Sequence, residues 1–148
     1  MPHTATVHSR PMQERAVDRR LSADGVLTSV GEALYEWNLT NDFLDWSKGT
    51  NELLGITDPG MLLTNRNWEA LRVPGTAVSR GTALAQSEQQ DDGRGVPYQV
   101  QYALSGGHLR DGQDIWLEDT GRWFADPESG RTTHAHGVVR IITERRKR

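Results

Sequence analysis

Cysteine is absent from the 148-residue chain. That excludes disulfides, thiolate metal sites, cysteine nucleophiles and photochemistry that needs a cysteinyl adduct, and it fits a reducing compartment. No apolar run approaches the ~18 residues of a membrane span. The opening MPHTATVHSR is polar and lacks the apolar centre of a signal peptide. A cytoplasmic protein with no membrane partner is the expectation. Positive charge is not in excess either: the formal net charge is −3 and the pI about 5.9. The basic residues gather in the short runs RAVDRR (15–20) and ERRKR (144–148), which read as solvated faces and not as a nucleic-acid surface. Walker loops, GxGxxG and nucleophile elbows are also missing, so no catalytic residue is expected.

What is present is one modest core. Apolar residues make up 35% of the chain, enough for a single domain of this length. Residues 1–10 read as a polar tail. PMQERAVDRRL (11–21) carries a narrow apolar stripe at helical spacing, and Met12, Ala16, Arg19 and Arg20 are candidates for docking on a partner. Residues 21–31, with two glycines and small side chains, read as an irregular lead-in.

ALYEWNL (33–39) alternates with period two, TND is a turn, and FLDWS (43–47) is the return strand of a hairpin. SKGTNELLGI reads as a single helical turn with Ser47 as N-cap, Leu53 and Leu54 buried, and Gly55 as the terminating glycine. NWEALRVP (67–74) predicts a short helix stopped by Pro74. A longer helix is expected from a Thr76 cap to about Gln90, with Ala77, Gly81, Leu84, Ala85 and Glu88 on its inner face. Three strands close the chain: 96–104, 114–126 and 132–143. Two strands, a helical block, then three strands predict an α+β fold: a five-stranded antiparallel sheet with short helices on one face and a helical extension before it.

With YEWNLTNDFLDWSKGTNELLGI (35–56), DGQDIWLEDTGRWFADPESGR (111–131) and GVVRIITERRKR (137–148) in order, the sequence resembles the PAS sensor-domain family, in the subgroup with a distinctive carboxy-terminal motif. The matching features are a Trp-Asn-Leu strand, a Trp-Ser strand end, Leu-Leu-Gly, an Asp-Gly before a Trp-bearing strand, and an Ile-Thr-Glu-Arg ending. The resemblance covers roughly residues 26–148 and implies a domain at 26–143, flanked by an N-terminal tail and helix (1–25) and the start of a signalling linker (144–148).

It implies a sensory and protein-interaction module that usually precedes histidine kinases or enzymes of cyclic-di-GMP metabolism, and that often pairs as a homodimer. Ile141, Thr143, Glu144 and Arg145 would then carry signal transmission. Family members have an aspartate where Ile141 stands, and that aspartate usually holds the outgoing linker. The helix-opening acidic pair of the family is replaced by Pro74-Gly75-Thr76, where Thr76 can still cap. Two arrangements stay open. The start at Met1 favours a stand-alone adaptor acting on a kinase or cyclic-di-GMP enzyme in trans, while the ending ITERRKR favours an input module joined in cis to an output domain.

Resemblance also implies a pocket between sheet and helices. Strand alternation nominates Tyr35, Trp37, Tyr98, Val100 and Tyr102 for its lining, and helical periodicity adds Leu53, Leu54, Trp68, Leu71 and Leu84. Each of these equally suits plain core packing. The tyrosines are informative, because a buried hydroxyl needs a hydrogen-bond partner and a polar small-molecule ligand of unknown identity would supply one. These interior positions hold no carboxylate or histidine, and Glu118 and Asp119, neighbours on one strand, point to opposite faces. No cofactor is expected. Haem-binding members use a histidine on the long helix, which has none here; the five tryptophans (Trp37, Trp46, Trp68, Trp116, Trp123) could offer stacking surfaces to a non-covalent flavin, but read first as core or interface packing. His134 and His136 share one strand face, and with His108 could chelate a metal. Without a supporting carboxylate pattern they read as solvent-facing polar residues.

Overall fold

Period-two burial builds the sheet. The computed structural model describes residues 22–75 and 79–142. Met12, Ala16, Arg19 and Arg20, the helix proposed for 11–21, Thr76, and the output residues Thr143, Glu144 and Arg145 lie outside the described residues. Strand β1 (Glu32–Asn38) buries Ala33, Tyr35 and Trp37 and exposes the residues between. It pairs with the short β2 (Leu44–Trp46) through the predicted hairpin, whose turn places Asp42 at φ 68. The Asn38 side chain accepts from the Thr40 and Asn41 N–H groups, the local chemistry that lets a polar tripeptide reverse the chain.

Strands β3 (Val96–Leu104), β4 (Ile115–Ala125) and β5 (Thr132–Ile141) follow closely the three predicted runs. All pairs are antiparallel and the order is β2-β1-β5-β4-β3, which puts β5 at the centre. The register stacks the inward residues into rows across the sheet. One row runs Trp46, Tyr35, Gly137, Gly121, Tyr98, and the next runs Ala33, Val139, Asp119, Val100.

The helical elements correct the sequence reading in four places. The expected irregular lead-in is helix α1 (Ala23–Ser29), capped by Ser22 and ended at Gly31, whose φ of 79 turns the chain into β1. Helix α2 (Thr50–Leu54) takes Gly49, not Ser47, as its N-cap, because the Ser47 hydroxyl instead accepts from the Leu34 N–H at 2.9 Å and ties β2 to β1. Gly55 does close it in the left-handed conformation, as expected.

Helix α3 (Asn65–Ala70) begins at a Thr64 cap and ends before Pro74, since Arg72 already bridges to Leu104 on the sheet. The predicted long helix is the shorter α4 (Arg80–Gln86), opened by a Ser79 cap on the Thr82 N–H, and Ser87 is already extended. Single turns of 3-10 helix lie at Pro59–Leu62 and Gly106–His108. The core lies between the inner sheet face and the helices, with Trp68, Leu71, Tyr102, Leu104 and Leu117 wholly buried. Leu54 is buried, and Leu53, Leu84 and Val100 are half-buried against the same cluster. Among the described residues no helix is long and apolar enough to cross a membrane.

Candidate functional site: a buried aspartate–arginine–tyrosine core

Strand β4 alternates Leu117, Asp119, Gly121 and Trp123 toward the inside, so the carboxylate of Asp119 is carried into the middle of the core. Its neighbour Glu118 faces outward and pairs with Arg140 at 2.6 Å. Asp119 is 0% exposed and Arg80, the first residue of α4, is 1% exposed. A buried carboxylate needs a counter-charge and donors. Arg80 Nε donates to Asp119 Oδ2 at 3.0 Å, Tyr102 Oη donates to the same oxygen at 2.6 Å, and Tyr35 Oη donates to Oδ1 at 2.7 Å.

A second tier of donors extends the network. Trp68 Nε1 donates to Tyr102 Oη at 2.9 Å, and Arg80 Nη2 reaches the same hydroxyl at 3.4 Å. Tyr35 and Tyr98 share a short hydroxyl–hydroxyl hydrogen bond. Tyr35 has already given its one proton to Asp119, so Tyr98 is the donor of that pair. Two glycines make this possible. A Cβ at Gly137 would stand 2.6 Å from the Tyr35 hydroxyl, and one at Gly121 would stand 2.7 Å from that of Tyr98. Without side chains there, the two phenols lie flat toward each other over β5 and β4.

Aromatic faces close the remaining sides. Arg80 Cζ stacks 3.7 Å from the centroid of the Tyr35 ring, with Trp68 at 5.4 Å and Trp46 at 5.8 Å. The rings also pack on one another, Tyr35 on Trp46 at 5.5 Å and Trp46 on Trp68 at 4.8 Å. Trp46 is fixed by its Nε1 donating to the Leu62 carbonyl at 3.0 Å.

The electrostatics follow from burial. Desolvation raises the Tyr35 and Tyr102 hydroxyls far above the ordinary phenol value, the Asp119 charge adds to it, and Arg80 opposes it. Tyr98, at the rim, is pushed up to about 12, again chiefly by desolvation and then by Asp119. Burial works against the Arg80 charge, yet Asp119 and the tyrosines around it outweigh that and hold its pKa well above normal. The core is therefore one ion pair with neutral phenols bridging it.

Of the residues nominated from sequence, the structure brings Tyr35, Trp68, Tyr98 and Tyr102 into one hydrogen-bonded group. Leu53, Leu54, Leu71, Leu84 and Val100 supply apolar packing around it. Trp37 stands apart: its Nε1 donates to Asp42 at 3.0 Å, and it lines a surface hollow of about 590 Å³ with Phe43, Leu44, Leu63 and His134. The nominated positions hold no carboxylate, but Asp119 beside them does, and neither it nor Arg80 was among the residues nominated for the interior. Both had signals. Asp119 sits two residues after Leu117 and four before Trp123, on the inward phase of its strand, and Arg80 is four residues before the inward Leu84. The Tyr35 and Tyr102 hydroxyls find their partner in the chain's own aspartate, and the Tyr98 hydroxyl finds its partner in Tyr35. Ile141 is the last residue of β5, with its N–H bonded to the Gly31 carbonyl at 3.0 Å. His134 and His136 lie on the outer face against Phe124, the His134 ring stacked at 4.7 Å. Among the described residues no three potential metal ligands gather, so these two histidines and His108 form no common site.

No protein-family model and no curated protein matches the chain. Solved structures do. The N-terminal domain of a diguanylate cyclase with a PAS/PAC sensor from Marinobacter aquaeolei superposes with a TM-score of 0.58 at 19% identity, over 78% of this chain and 98% of that one. A sensory box histidine kinase/response regulator from Burkholderia thailandensis gives 0.55 at 17% identity, over 87% of this chain and 88% of that one. The PAS domain of a Colwellia psychrerythraea protein gives 0.50 at 20% identity, over 90% and 98%. With the five strands in the order 2-1-5-4-3 and the short helices laid on the inner face, the chain has the PAS fold.

Proposed function

We propose that the chain is a sensory domain of bacterial-type signal transduction, acting through protein contacts on a histidine kinase or a cyclic-di-GMP enzyme, joined in cis or bound in trans. Its fold is that of the sensor modules of a diguanylate cyclase and a histidine kinase, and that likeness supports the general class. The observation that carries the reading is the Asp119–Arg80 pair in the centre of the inner face. A buried ion pair ringed by phenols is a poor way to gain stability, since well-packed apolar residues serve as well or better. Its merit is that its geometry is set by directional bonds, so a change at one partner is felt by all.

The network rests directly on β5, because Tyr35 lies over Gly137, and β5 is the strand that leads to the transmission segment at Ile141, Thr143, Glu144 and Arg145. A catalytic role is not part of the reading. Both oxygens of Asp119 are held by Tyr35, Tyr102 and Arg80 inside the core. Pairing of two copies, and docking of a partner through the N-terminal segment with Met12, Ala16, Arg19 and Arg20, belong to the same proposal.

The test is a chimera. The full chain replaces the PAS/PAC sensor of a diguanylate cyclase, and cyclic-di-GMP production is measured with the native core and with Asp119→Asn. The expected result is a change in cyclase rate of about fivefold or more between the two, both chimeras being folded. Equal rates from both, and from a chimera lacking the domain, would sink the reading.

A further inference from the structure

We infer that the interior of this domain is a receptor site for a small organic cation, a guanidinium or alkylamine compound, and that Arg80 is the occupant the chain supplies itself. The inference rests on the sensory reading and names the ligand chemistry of that same core.

An organic cation is held by a carboxylate shielded from water, by phenol or indole faces over the charge, and by hydroxyl oxygens at the rim. Tyr35, Trp46, Trp68, Tyr98, Tyr102 and Asp119 provide all three within one ring of contacts. Those six residues come from strands β1 to β4 and from α3, and they hold one another. The bonds Tyr35 to Asp119, Tyr102 to Asp119, Trp68 to Tyr102, Tyr98 to Tyr35 and Trp46 to Leu62 all bypass Arg80. The walls are thus complete without their occupant. Arg80, by contrast, arrives on a separate seven-residue helix.

The fit of Arg80 is also incomplete. A guanidinium matched to a carboxylate presents two parallel N–H groups to its two oxygens. Here only Nε meets Asp119, Nη2 reaches a hydroxyl at 3.4 Å, and Nη1 is buried without a hydrogen-bond partner. A free cation is not bound by the backbone geometry of α4 and can take the two-pronged pose. The exchange is charge-neutral: Asp119 keeps a counter-ion while Arg80 passes to water, where its guanidinium is well solvated. Entry of the ligand and release of α4 from the sheet become one event, which gives the domain two states.

The experiment uses the full chain and N-ethylguanidinium, with N-ethylurea as the uncharged analogue of the same shape. In Arg80→Ala, ethylguanidinium should give saturable quenching of tryptophan fluorescence and a rise in Tm of several degrees. N-ethylurea should give neither, and Arg80→Ala/Asp119→Asn should not respond. The native chain should bind the same probe at least ~10-fold more weakly, because the tethered Arg80 competes at high effective concentration. On saturation its Arg80 Nε–H resonance should move to the solvent-exposed position.

If Arg80→Ala does not fold alone, recovery of the fold by ethylguanidinium supports the proposal. Failure to recover, with an unmoved Arg80 resonance in the native chain, overturns it. A folded Arg80→Ala that shows no saturable response, or responds equally to N-ethylurea, overturns it as well. The chimera separates the two readings. Rates that respond to Asp119→Asn with no cation binding leave the sensory reading and remove the cation, whereas cation binding with unresponsive rates removes the sensory role.

Discussion

Tyr35 and Tyr98 stand 63 residues apart in sequence and on strands separated by two others, yet their hydroxyls bond directly. They meet because the row between them reads Gly137 and Gly121, so nothing rises from the floor of the sheet where the phenols cross. The same row sets the height at which Tyr35 reaches Asp119.

Filling that floor should break the arrangement. In Gly137→Ala the new methyl would lie 2.5 Å from the Thr120 carbonyl oxygen as well as against the Tyr35 hydroxyl, and neither neighbour can yield without moving strand or network. A loss of about 1–3 kcal/mol is expected, as for other overpacked interiors. Urea denaturation measures it, and a midpoint equal to that of the native chain would show that the floor is not closed.

Removing one partner of the ion pair should be worse than removing both. Asp119→Asn leaves the Arg80 charge buried without its counter-ion, for which about 3–5 kcal/mol is the expected penalty. Arg80→Met/Asp119→Leu, of similar volume and without charge, should recover most of it. A double-mutant cycle checks this, and additive losses would mean that the two residues do not act as a pair.

The alkaline titration has a clean readout, because all three tyrosines of the chain belong to the network. Unfolded tyrosine ionises near pH ~10, while Tyr98 in the folded protein is pushed up to about 12 and Tyr35 and Tyr102 lie higher still. Above pH ~10 the unfolded chain therefore holds fewer protons than the folded one, so the slope of stability with pH is negative there. The contribution of these phenols is fully present below the unfolded pKa and is lost as pH rises through the folded values. Absorbance at the tyrosinate band should stay flat until the protein unfolds, then rise for three groups together. An independent step near the ordinary phenol value would show a tyrosine outside the core.

Asp91 behaves in the opposite sense at the acid end. Its carboxylate accepts from the Ala125, Gly93 and Gly95 N–H groups, which hold its pKa below the usual carboxylate value. Stability from this clasp is present above the unfolded carboxylate pKa and is lost as pH falls through the lowered folded value. Asp91→Ala should lower Tm at neutral pH and matter progressively less in acid. A Tm difference that stayed constant down to strong acid would place the effect in packing and not in the charge.

Reading the sequence by period gave the strands, the hairpin and the closing run of three strands, and the motifs laid along them carried the resemblance. It did so because a strand half buried against helices must alternate, and alternation is local. Short helices were less legible: α1 and the true start of α4 depend on Ser22 and Ser79 caps that compete with equally good neighbours such as Thr76.

The meaning of the core was not legible in the same way. Tyr35, Trp68, Tyr98 and Tyr102 could be placed inside from sequence alone, and Asp119 stood on the inward phase of its strand. That its charge is met by Arg80, 39 residues earlier on another element, is a fact of the tertiary structure. Local pattern tells which way a side chain points. Only the packed fold decides which opposite charge it meets, because that choice is made by burial, where an unpaired charge is too costly to keep.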